Sequence, residues 1–162
     1  MLAVLLPGMN SKKILIAVLW LILAAVGAAR IETVIGVRFD FVLASLVAFS
    51  FFMDAYEALC VSVVAILLVN WLPAVTLEMV LYPVASLIVV LVRRVFPLKL
   101  WLNAAVAAFL AILLFSLAVA YRAALASFPL VIMDGLAGAL LAGLIFQCMS
   151  WIYHEEQVRR RT

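Results

Sequence analysis

Residues 41–71 read FVLASLVAFSFFMDAYEALCVSVVAILLVNW, and the fold turns on whether this stretch is one helix or two. A single helix would measure about 46 Å, well beyond a hydrocarbon core of about 30 Å even with strong tilt. It would also place the carboxylates of Asp54 and Glu57 in mid-bilayer. Two helices with a tight turn near Asp54 avoid both difficulties. Asp54-Ala55-Tyr56-Glu57 has the form of a capping box, in which an N-cap aspartate and a glutamate three residues later satisfy free amide groups of a helix start. The first of the two helices, Phe41 to Met53, is short for a span. It begins earlier, thins the bilayer or lies partly re-entrant.

Outward from this stretch the chain alternates apolar runs with short polar breaks. The expected spans are 14–29, 41–53, 56–71, 73–92, 100–121 and 130–153. The breaks hold Arg30, Glu32, Arg38 and Asp40, then Arg93 to Lys99, then Arg122 to Pro129. Of the 162 residues 71% are hydrophobic, and the mean hydropathy is +1.38. A soluble domain is nearer half apolar, so too little polar surface exists to cover a water-soluble globule. The fold class expected is all-α: one polytopic integral membrane domain of about six helices, with the lipid bilayer as its surroundings.

Charge tests the number of spans. With six spans and a cytoplasmic N-terminus, the inner side collects Lys12, Lys13, Arg93, Arg94, Lys99, Arg159, Arg160 and Arg161. The outer side receives Arg30, Arg38 and Arg122, so the bias is eight to three, as the positive-inside rule requires. Five spans leave at least one basic cluster on the wrong side. Both termini are expected in the cytoplasm. Trp71, Trp101, Tyr121, Trp151 and Tyr153 fall at span ends, where amphipathic rings prefer to sit. The net charge of +3 is used up in this pattern, and nucleic acid is not an expected partner. Lys12-Lys13 followed by an apolar run and small residues at Val26-Gly27-Ala28 imitates a signal peptide, but the topology needs it as an uncleaved first span. Met9-Asn10-Ser11-Lys12-Lys13 reads as naturally as an N-terminus as Met1 does.

Four acidic residues lie in or beside spans: Asp54, Glu57, Glu78 and Asp134. Ionisable groups there are candidates for a polar site, in a proton-coupled transporter or a cation site. Glu57, Glu78 and Asp134 also fall near helix starts, where the helix dipole favours negative charge. Glu78 and Asp134 sit deeper than a cap needs, both towards the outer leaflet, so one cavity could hold them. Small residues set a different pattern. Gly135, Ala139 and Gly143 repeat every four residues, as do Gly138 and Ala142, a spacing that lets helix backbones approach closely. Pro83 should kink the fourth span.

Catalysis and cofactors find no support. Cys60 and Cys148 sit in apolar runs as packing residues, and a single histidine, His154, provides no metal site or haem pair. No phosphate loop, dinucleotide fingerprint or serine elbow occurs. Asp54 with Glu57 is the sole basis for an enzyme acting on lipid, and the expectation is that the chain is not an enzyme.

The layout resembles the MreD family of rod-shape-determining proteins, which are small, bacterial and polytopic. Phe39-Asp40-Phe41-Val42-Leu43 is similar to the approach to that family's second helix. Leu67 to Asn70, then Thr76-Leu77-Glu78 and the run to Arg93-Arg94, is similar to its passage from third to fourth helix. Pro129 to Tyr153 with the basic tail is similar to its last helix. Asn70 stands where the family commonly has an acidic residue, and Glu78 where it has glycine. The resemblance implies a non-catalytic scaffold of the cell-elongation machinery in the bacterial inner membrane, with an MreC-like protein and cell-wall synthases as partners. The family is also similar in architecture to substrate-binding S components of energy-coupling-factor transporters. That similarity implies an alternative, a small-solute binder using Glu78, Asp134 and Arg122 or Arg38.

Overall fold

The computed structural model describes residues 11–35, 39–69, 77–93 and 100–159. Among these the chain is all-α, with six helices in the order α1 (Ser11–Ile35), α2 (Phe41–Ser50), α3 (Ala55–Val69), α4 (Glu78–Val92), α5 (Leu100–Ala126) and α6 (Phe128–Arg159). Stretches of α1, α5 and α6, namely Lys13–Thr33, Trp101–Ala126 and Phe128–Ile152, are long and apolar enough to cross a membrane. The other three are shorter apolar helices.

The break near Asp54 separates α2 from α3, as the capping-box pattern implied. The Glu57 side chain reaches back to accept from the Asp54 backbone N–H at 3.2 Å, and the Asp54 carbonyl accepts from Ala58 N–H at 2.9 Å. The short helix does not begin early. Asp40 occupies its N-cap, with its carboxylate accepting from Leu43 N–H, and the helix ends after 10 residues. Its length is therefore about 15 Å, half of a hydrocarbon core.

α2 is the axis of the molecule. Every residue from Val42 to Ser50 is buried, and α2 packs against all five other helices. The helices alternate in direction around it. Lys13, Phe52, Arg93 and Phe146 meet at one end of the bundle. Glu32, Asp40, Leu68 and Tyr82 line one pocket at the other.

Several helix ends differ from the expected spans; α2 stops at Ser50 instead of Met53, and α6 runs on to Arg159, past Tyr153. Arg30 and Glu32 are not in a connector; they lie within α1, where Thr33 closes a turn by donating its hydroxyl to the Arg30 carbonyl at 2.7 Å. Residues 122–129 are not an open connector either. At Ala120 the backbone leaves helical geometry (φ −142°, ψ 55°), close to the expected end at Tyr121. The chain then resumes as helix to Ala126, because YRAALA holds good helix formers and no breaker. Ser127 alone separates α5 from α6, and Pro129 sits in the first turn of α6, where its missing N–H costs nothing. The expected start of the fourth span at Pro73 lies outside the described residues.

Large side chains such as Leu43, Phe49 and Ile112 share the interior with many small and polar ones: Ala44, Ala48, Ala58, Ala65, Ala104, Ala108 and Ala142, with Ser45, Ser50, Ser62 and Ser86, are all fully buried. Other large aliphatic residues face outwards, with Leu91 at 74% and Leu140 at 73% exposure. Such a surface is stable only in an apolar solvent. Trp101, Tyr121 and Trp151 are exposed as well.

Small residues let α5 and α6 close on each other and on α2. A Cβ at Gly138 would collide with Ile112 Cδ1 and stand 3.4 Å from Ala44 Cβ; at Gly135 it would lie 2.9 Å from the Phe109 ring. Ile112 and Ala44 are themselves fully buried, so neither has room to yield. At Gly143 the nearest atoms, on Trp101 and Ala105, are an ordinary 3.8 and 3.9 Å away. Ala142 is buried and Ala139 half-buried. Overpacking of this kind costs about 1–3 kcal/mol. Gly138→Leu is expected to destabilise the detergent-solubilised protein by that amount and so lower its thermal midpoint, whereas Gly143→Ala leaves the midpoint unchanged; a fluorescence-detected melt compares them.

Candidate functional site

A short helix buried on all sides cannot solvate its own ends. The first amides and last carbonyls have no partner within the helix and need one from elsewhere. Asp40, Asp134, Arg93 and Lys13 converge on these ends.

At the N-terminus of α2 the Asp40 Oδ1 atom accepts two hydrogen bonds. One comes from Leu43 N–H at 3.0 Å and the other from the Tyr82 hydroxyl on α4 at 2.9 Å. Tyr82 is nearly fully buried and packs edge-on against Phe115 of α5, which holds the phenol in place. Asp134 of α6 then accepts from the Asp40 backbone N–H at 2.9 Å. Two carboxylates thus face the positive end of the α2 dipole, the sign that end favours. Asp134 lies in the second turn of its own helix, so its hydrogen bond serves a helix start, but that of α2.

At the C-terminus the signs reverse. Arg93, at the end of α4, donates from Nη1 to the carbonyls of Ser50 at 3.3 Å, Phe51 at 3.0 Å and Met53 at 2.8 Å. Lys13 of α1 donates from Nζ to the Phe52 carbonyl at 3.3 Å. Cations here satisfy orphan carbonyls and the negative end of the dipole together. Asp54 lies 3.8 Å from Arg93 Nη2, but its side chain is 88% exposed, so that ion pair adds little. Glu57, by contrast, is buried.

Between the ends, the Ser62 and Ser86 hydroxyls bond each other at 2.8 Å and join α3 to α4. Ser62 also approaches the Ala58 carbonyl at 2.6 Å, and Ser86 the Pro83 carbonyl at 3.0 Å, one turn past the proline.

Of the four acidic residues singled out in the sequence, Asp54 and Glu57 share the α2–α3 turn, and Asp134 lies at the opposite end. Glu78 opens α4, and its side chain lies outside the described residues. Arg38 is also outside them, and Arg122 is exposed. A pocket of about 150 Å³ adjoins Asp40, between Ala25, Ala28 and Glu32 of α1, Leu68 of α3 and Tyr82 of α4. Ligand pockets usually hold about 300–1,000 Å³. Among the described residues no three potential metal ligands come together.

No family model, curated protein or solved structure matches this chain.

Asp40, Tyr82 and Arg93 carry more of this network than the residues the sequence pointed to. Asp40 had a local signal, an aspartate directly before an apolar run. Tyr82 had none, because its partner is 42 residues away.

Two predictions separate the ends. Tyr82→Phe removes one hydrogen bond to a half-buried carboxylate and is expected to cost about 1–3 kcal/mol. In an Asp40→Ala background the same change should cost much less, and a double-mutant cycle of melts measures that coupling. Arg93→Ala leaves three carbonyls short of a donor and should destabilise more than Asp54→Asn. Amide hydrogen exchange would show the loss first as reduced protection in residues 47–53.

Proposed function

We propose that the chain is a non-catalytic scaffold subunit of the bacterial inner membrane, MreD-like, working in the cell-elongation machinery by helix-to-helix contact. In this reading all six helices belong to the membrane domain. Five cross or nearly cross it, and α2 with the α2–α3 turn completes a sixth passage. Both termini lie in the cytoplasm. The Lys13–Arg93 end of the bundle faces the cytoplasm, because the basic clusters gather there.

The observation that carries the reading is the fate of the buried and half-buried charges. Asp40, Asp134, Glu57, Arg93 and Lys13 all bond backbone groups at helix ends. Groups used in this way hold a framework together and are not poised around a substrate. The resemblance to the MreD family adds the biological setting: an MreC-like partner and the cell-wall synthases.

A solute-binding role, like that of an S component, has one observation in its favour. The pocket beside Asp40 is lined by a second carboxylate, Glu32, and by the Tyr82 ring. Its volume of about 150 Å³ limits it to the smallest solutes.

Purification of the tagged protein in mild detergent, followed by mass spectrometry of proteins and of extracted small molecules, decides between them. Recovery of an MreC-like protein or a cell-wall synthase is the expected outcome. Recovery of an ATPase module with a bound small solute, lost in Glu32→Gln, would overturn it.

A further inference from the structure

We draw no further inference here: the strongest candidate, the pocket of about 150 Å³ between α1, α3 and α4 beside Asp40, belongs to the site already described, and nothing among the described residues shows what would occupy it.

Discussion

A 10-residue helix surrounded on every side must find partners for its terminal amides and carbonyls inside the protein. α2 is such a helix, and the arrangement of the rest of the bundle answers to it. Its N-terminus requires acceptors, and Asp40 and Asp134 provide them, with Tyr82 fixing the first. Its C-terminus requires donors, and Arg93 and Lys13 provide those. Apart from Asp40, which is α2's own N-cap, these groups come from α1, α4 and α6, so satisfying α2 also sets the depth of those helices against one another. The two ends carry opposite charge, matched to the dipole they face.

The body of the bundle follows a separate constraint. In lipid the hydrophobic effect gives helices no reason to associate, so contact has to come from close packing and from hydrogen bonds. Alanine, serine and glycine therefore take many interior positions beside Leu21, Leu43, Leu46 and Phe49, and many other leucines face out. Gly138 lets Ile112 and Ala44 meet over α6, and the Ser62–Ser86 pair locks α3 to α4 beside Pro83. Where small residues face larger ones without a neighbour to fill the space, between α4 and α5, a groove is left on the surface. The interior is thus occupied by structural contacts, and what the molecule offers to other molecules lies on its flanks and at its ends. That division is what the proposed scaffold reading rests on.

Much of this was legible in the sequence because it rests on local or one-dimensional signals. Apolar content and run length imply lipid as solvent and an all-α chain, since only internally hydrogen-bonded segments survive there. The separation of α2 from α3 follows from a length argument and a four-residue capping pattern, and Glu57 makes the bond that pattern implies. The gathering of Lys13 and Arg93 at one end follows from counting passages through the bundle. Helix ends were less legible: α1 runs through Arg30 and Glu32, and α5 continues past its kink at Ala120, because nothing in those stretches forbids a helix.

Only the tertiary structure decided which side chains meet. Asp40 and Asp134 are 94 residues apart, and Arg93 lies 40 to 43 residues from the carbonyls it holds. These pairings depend on how each helix is rotated and how deep it sits. A helix that is apolar all round has no polar face by which its rotation can be read. The sequence by itself determined that six apolar helices would have to share few polar residues. Their rotation and depth are tied to α2, whose ends are satisfied by drawing those residues together.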